Sequence, residues 1–323
     1  MGKTTISWTD VTWNPVRGCR RVSPGCEHCY AEQTAGRFCG PGQAYEGLAT
    51  RKLKVISDDE QRTVARWTGK VRFVAKHLGD PLRWRTPRRV FVNSMSDLFY
   101  EDLTNEQIAA VFGVMAAAPQ HTFQVLTKRP QRMREWFAWI GGGEPEVDLV
   151  RLHAQDVVGV LHPRLGRNAA SWPLPNVWLG VSVEDQQRAD ERIPELLATP
   201  AAVRFLSCEP LLEEVSLLAV GSPGIDWVIA GCENSIGARP AQARWFRTLR
   251  DDCAASGVPF FLKQMVSPWK EFHSDPTYWA RHEDITIRRN VVEGPGSARK
   301  PRGVIELPYL DGVRHAAFPA VRP

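Results

Sequence analysis

Three cysteines stand within eleven residues, in Cys19-Arg-Arg-Val-Ser-Pro-Gly-Cys26-Glu-His-Cys29. Three soft thiolates in one loop suit either zinc or an iron–sulfur cluster, and the distinction lies in the fourth ligand. A structural zinc ion needs another Cys or His. His28, wedged between Glu27 and Cys29, is poorly placed to bind the same ion as both neighbouring thiolates. A three-thiolate [4Fe–4S] cluster instead leaves one iron open for a small molecule. A disulfide framework would need an oxidising compartment; the cysteines number seven, and Met1 to Ser7 lacks the apolar stretch of a secretory signal. Cys39 and Cys253 read as structural or incidental.

A second set of candidates lies where short apolar, β-rich runs end in charge: Val90 to Asp97, Phe123 to Lys128, Val177 to Glu184, Val203 to Glu209, Asp226 to Glu233 and Pro259 to Lys263. The terminal charges are separated by 31, 56, 25, 24 and 30 residues, and four of these five intervals fit one βα unit each. An N-terminal strand is expected near Thr4 to Asp10. The long interval holds Gly141-Gly-Gly143 and a polar stretch to about Pro175, read as a loop insertion over residues 141–175. Thr104-Asn-Glu-Gln107 is a capping box followed by Ile108, Val111, Phe112 and Met115 at helical spacing. Pro130 starts a second helix bearing Met133, Trp136 and Phe137, and Pro240 a third bearing Trp245, Leu249 and Cys253. Strand–helix alternation predicts a parallel α/β sheet with helices outside. In such a sheet ligands collect at the carboxyl ends of the strands. Asp97, Lys128, Glu184, Glu209, Glu233 and Lys263 would then ring one mouth together with the cysteine loop, although each alone has an ordinary reading as a surface strand terminator.

The chain has 323 residues, 43% hydrophobic and 24% charged, which excludes disorder for its bulk, and no run approaches the roughly 20 apolar residues of a membrane helix. A cytoplasmic protein with no membrane partner is expected. The formal charge of +5 says little, but Arg51 to Val90 carries twelve Lys/Arg against four Asp/Glu and leaves the remainder at −3. With Phe73, Trp67 and Trp84 inside it, this basic segment (residues 51–90) is suited to gripping a phosphate backbone and stacking on bases. The plainer reading is a solvated surface with its Trp side chains turned inward. Gly2-Lys-Thr4 imitates the end of a phosphate-binding loop, but no glycine-rich loop precedes it.

Trp8-Thr-Asp-Val-Thr-Trp-Asn-Pro15, Ser23-Pro-Gly-Cys26, Cys29-Tyr-Ala-Glu32, Asn93-Ser-Met-Ser-Asp-Leu-Phe99, Leu126-Thr-Lys-Arg-Pro130, Leu179-Gly-Val-Ser-Val-Glu184, Leu206-Ser-Cys-Glu-Pro-Leu211 and Phe261-Leu-Lys-Gln264 together resemble a phage- and bacteria-encoded family of radical S-adenosylmethionine (SAM) proteins of unassigned function. The resemblance implies a partial TIM-like (β/α)6 barrel over residues 1–265 with an N-terminal cluster loop, and a C-terminal extension over 266–323 packed on it. It implies that Cys19, Cys26 and Cys29 hold a [4Fe–4S] cluster, that SAM chelates the open iron, and that an electron from a flavodoxin- or ferredoxin-type donor cleaves SAM to methionine and a hydrogen-abstracting 5′-deoxyadenosyl radical. The C-x6-C-x2-C spacing departs from the C-x3-C-x2-C commonest in that superfamily. Carried over residue by residue, Asn93, Ser94, Ser96 and Asp97 meet the SAM amino group, Lys128 or Arg129 its carboxylate, and Ser182 and Glu184 the ribose. Glu209 and Glu233 orient substrate or move protons. Cys208 and Cys232 are hydrogen-atom donors to a substrate radical, ligands of a second metal, or buried packing residues, and Gly231-Cys232-Glu233-Asn234-Ser235 departs from the Gly-Gly-Glu-Ser expected there. The substrate implied is a nucleoside, nucleotide or nucleic acid. A peptide or small metabolite is the alternative, and a non-catalytic zinc-stabilised nucleic-acid-binding protein is the alternative of another class.

Overall fold

A computed structural model describes residues 4–57, 60–141, 150, 152–154, 156, 172–218, 223–233, 238–239, 241–266, 287–289, 303–306, 309–311 and 313–320. The chain forms two units, residues 1–181 with 194–204 and residues 182–193 with 205–323. In chain order the first carries β1 (Val11–Trp13), β2 (Val16–Arg17), α1 (Tyr30–Gly36), β3 (Ala49–Ser57), β4 (Glu60–Trp67), β5 (Arg72–Phe73), β6 (Arg89–Val92), α2 (Asn105–Ala116), β7 (Thr122–Thr127), α3 (Pro130–Ile140) and β8 (Val177–Ser182). There follow α4 (Gln186–Leu197), β9 (Val203–Cys208), β10 (Trp227–Gly231), α5 (Ala243–Ala255), β11 (Phe260–Val266), β12 (Ile287–Arg289), β13 (Gly303–Glu306), β14 (Tyr309–Leu310) and β15 (Val313–Arg314).

In the first unit β1, β6, β7 and β8 are parallel neighbours in that order, in registers Val11↔Val90, Val90↔Phe123 and Phe123↔Val177. All six residues of β8 are buried, as a strand covered on both faces requires. In the second unit β9, β10 and β11 are parallel, and β13 and then β12 add antiparallel beyond β11. The α/β class and the parallel strands agree with the sequence reading.

The capping box forms as expected. Thr104 Oγ1 accepts from Gln107 N, Gln107 Oε1 accepts from Thr104 N, and Ile108, Val111, Phe112 and Met115 are buried. Helix α3 starts at Pro130 and stacks Trp136 on Phe112 at 4.4 Å between ring centres. Two boundaries differ. The first strand is Val11–Trp13, not Thr4 to Asp10, because the preceding residues turn back through Thr9 N to Ile6 O, and Asp10 is spent on the β6 entrance, where Arg89 N donates to its carboxylate at 2.7 Å. Helix α5 starts at Ala243, behind a Gln242 cap, and Pro240 lies outside the described residues. The basic segment begins as an antiparallel hairpin of β3 and β4. Trp84 is buried and Trp67 half-buried against Tyr45, so these rings pack inward. Most of residues 142–171 and 267–302 lies outside the described residues, as do Asn234 and Ser235. No helix among the described residues is long and apolar enough to cross a membrane.

Candidate functional site

The cysteine loop is delivered by strand pairing. After β1 the chain turns at Asn14-Pro15 and enters β2, which pairs with β5 and is capped by a bridge between Gly18 and Ser96. Gly18 has φ +93°, and a Cβ there would fall 2.2 Å from Lys70 O, so only glycine lets the chain pass. Cys19 follows at once. Cys26 ends a 3-10 turn over Pro24–Cys26, and Cys29 is the N-cap of α1. The three thiols are half-buried. Burial, reinforced by the Asp97 charge and opposed by Arg129, pushes the Cys19 thiol up to about 12, and Cys29 and Cys26 add to the rise. Burial raises Cys29 as well, against backbone N–H groups of Glu32 and Ala31 and the charge of Lys128. Cys39 sits past the far end of α1, its Sγ 3.4 Å from Gly36 O, in a hydrophobic cluster with Ala35 and Leu48.

Around the loop stand the carboxyl ends of β6 and β7. Asp97 is buried, and its oxygens take four donors: Phe99 N at 3.0 Å and Thr127 Oγ1 at 2.7 Å on Oδ1, Lys128 N and Arg129 Nη1 at 3.1 Å each on Oδ2. Those four bonds fill the lone pairs of a carboxylate, so Asp97 serves as a brace for the β7–α3 turn and has no site left for an ammonium group. Arg129 also reaches Glu101 at 3.1 Å and Arg20 O at 3.4 Å, and lies 4.5 Å above the Tyr100 ring. Ser94 donates to Asn14 Oδ1 and Ser96 to Val16 O, which leaves each hydroxyl oxygen able to accept. Asn93 ends β6 in the left-handed region at φ +59°. Its Oδ1 accepts from Val16 N at 3.3 Å, which orients the amide, and its buried Nδ2 has no acceptor among the described residues.

The second unit holds the later charges as closed pairs. Glu184, fully buried, meets Arg192 at 2.9 Å, and Arg192 also donates to Ser182 O. Glu209 accepts from Lys263 Nζ at 2.5 Å and Gln264 Nε2 at 3.1 Å. Glu233 is clasped by the guanidinium of Arg239, whose backbone N also donates to it at 2.8 Å. A Cβ at Gly231 would sit 3.3 Å from Glu209 and Gln264 atoms, so a glycine lets these side chains close over β10. Cys208 and Cys232 are buried, and burial raises the Cys208 thiol well above its usual range. The sequence reading missed Arg192, Arg239 and the Arg21–Glu32 pair. The first two follow their carboxylates by eight and six residues, a spacing that was available in the sequence as a signal.

Three features bear on a metal or cofactor. The donor set is three thiols, which suits either an iron–sulfur cluster or zinc. Among the described residues no three His, Cys, Asp or Glu side chains are gathered to hold a single ion, while Cys26 and Cys29 both add to the rise at Cys19, and Cys26 to that at Cys29. Among the described residues Asn93 Nδ2 is a buried donor without an acceptor. The residues therefore fit a cluster with a small polar ligand beside it. No curated protein and no solved structure matches the chain. A family model described as "Protein of unknown function (DUF5131)" matches residues 3–304, and the chain belongs to that family.

Proposed function

We propose that the protein is a radical SAM enzyme built on a partial (β/α)6 barrel, with Cys19, Cys26 and Cys29 as the ligands of a [4Fe–4S] cluster. The observation that carries this reading is the position of the three-thiol loop at the carboxyl ends of β1, β6 and β7, within electrostatic reach of Asp97, Lys128 and Arg129. When bound and reduced by an external flavodoxin- or ferredoxin-type donor, the cluster supplies the electron that cleaves SAM to methionine and a 5′-deoxyadenosyl radical. The protein's own part is to bind and orient. Lys128 is the cation for the SAM carboxylate, and Asn93 Nδ2 a further donor to it. The Ser94 and Ser96 oxygens accept from the ammonium group. Asp97 keeps Arg129 and the β7–α3 turn in place behind them. Cys208 and Cys232 act as packing residues in this reading, since both are buried.

The substrate class favoured is a nucleoside, nucleotide or nucleic acid. Exposed Arg51, Lys52, Lys70 and Arg72 lie on the hairpin and the β5 approach, and Lys70 O touches Gly18 at the entrance to the cysteine loop. Anaerobic reconstitution tests the cofactor. About four iron and four sulfide per chain are expected. Replacing Cys19, Cys26 or Cys29 by Ala should remove most of both, whereas Cys39→Ala should retain them. The reduced protein should convert SAM to methionine and 5′-deoxyadenosine. Stoichiometric zinc without sulfide in protein purified without oxygen would overturn the reading in favour of a zinc-stabilised binding protein.

A further inference from the structure

We infer that Arg21 and Glu32 form a clamp that shapes the three-cysteine loop before any metal binds, which makes Arg21 a positioning residue for the centre. Arg21 lies two residues past Cys19. Its Nη2 donates to the carbonyl of Glu27, the residue after Cys26, at 2.6 Å. Its Nε faces both oxygens of Glu32, three residues past Cys29, at 3.2 Å each, and Nη2 reaches Glu32 as well. One guanidinium thus ties together the chain beside all three cysteines. Glu32 is anchored in turn: its side chain is 1% exposed, Trp67 N donates to it at 2.9 Å, and Arg66 stands at 3.5 Å. The clamp therefore fastens the loop to α1 and β4.

The physical need is plain. Between Cys19 and Cys29 the loop's own backbone bonds are short-range, Cys26 N to Ser23 O and Glu27 N to Pro24 O, and neither restrains Arg20 to Val22. Fixing each residue's backbone costs conformational entropy, so a loose loop over Cys19–Cys29 would bind a metal centre against a large entropic cost. A loop ordered in advance avoids most of it. Only arginine offers parallel donors in a rigid planar fork for both a carboxylate and a carbonyl; lysine is a single point charge. The six residues that separate Cys19 from Cys26 thus include one that restrains them. The link to iron rests on the function proposed above, whereas the clamp itself does not.

Two measurements on the full chain separate the claims. In metal-free protein, Arg21→Ala should speed amide hydrogen exchange at Cys26 and Glu27 about tenfold or more, the loss expected for a charge-assisted bond. Exchange in α2 should be unchanged. In anaerobically reconstituted protein the same variant should lose iron to a chelator about tenfold faster, and millimolar guanidinium, but not urea, should restore both values. Should Arg21→Ala fail to fold, Arg21→Lys carries the comparison, with smaller changes of the same sign. Wild-type exchange in either folded variant overturns the clamp. Faster exchange with unaltered iron loss overturns its link to the metal centre. A wild type that binds no iron defeats the proposed function, and the exchange measurement still decides the clamp.

Discussion

Asp97 and Arg129 show how a charge that reads as a ligand becomes a brace. Both side chains are nearly excluded from solvent and face each other at 3.1 Å. Removing one member of such a pair strands the other, at a cost of about 3–5 kcal/mol. Asp97→Ala should therefore lower unfolding free energy by about that amount in urea titrations, and any accompanying loss of SAM binding would report the fold. Glu32→Ala meets the same objection, since Glu32 is buried with two arginines on it. Lys128→Ala probes the proposed site itself. It should weaken SAM binding about tenfold, as loss of one charge-assisted contact does. Equal affinity in calorimetric titrations of Lys128→Ala and wild type would remove Lys128 from the proposed site.

Helices α2 and α1 illustrate what a local pattern can and cannot specify. The Thr104 and Gln107 side chains satisfy two N-terminal amides reciprocally, so Thr104→Ala should cost about 1 kcal/mol by thermal denaturation. At α1 the limiting feature is close approach. A Cβ on Gly36 would lie 2.4 Å from Ala65 Cβ on β4, so Gly36→Ala should push the hairpin off the helix that begins at Cys29. Hydrogen exchange at Trp67, whose N–H is held by Glu32, should then accelerate. Protection equal to wild type would show that α1 yields instead.

The charges of the two units have different destinies. In the first, Arg89 is committed to Asp10 and Arg88 lies over Trp84, at the amino end of β6, while Arg51, Lys52, Lys70 and Arg72 remain on the hairpin and the approach to the cysteine loop. Neutralising the latter four should weaken low-salt binding of RNA or single-stranded DNA and flatten its salt dependence, because each phosphate contact releases counterions. Arg85→Gln should leave it unchanged. No binding to either nucleic acid or to free nucleotides by the wild type would direct the search to peptides or small metabolites. In the second unit hydrogen bonds from Arg247 and Arg250 hold the Asp311 carboxyl at about 2, below its ordinary 3.8. A depressed carboxylate contributes stability above its unfolded value and loses it as pH falls through the folded one. The β14–β15 turn should therefore loosen between about pH 4 and pH 2, more gently at high salt because Asp311 is exposed. Arg247→Ala with Arg250→Ala should abolish that step in hydrogen exchange of residues 309–314.

The cysteine spacing, the βα repeat and the capping box are statements about neighbours along the chain, and each was legible there: the three thiols share a loop, the apolar runs became parallel strands, and Thr104 caps α2. The start of β1 was not, because a three-residue strand is defined by its partner, Val90 to Val92 on β6. The charged strand ends were visible, but their distant partners were not. Lys263 meets Glu209 from 54 residues away and Arg129 meets Asp97 from 32, and hydrogen bonds at such separations leave no periodic trace. Sequence alone determined which residue types could do chemistry. The tertiary structure decided which of those charges are spent on one another, since burying an ionised group requires a partner and only the fold brings that partner within reach.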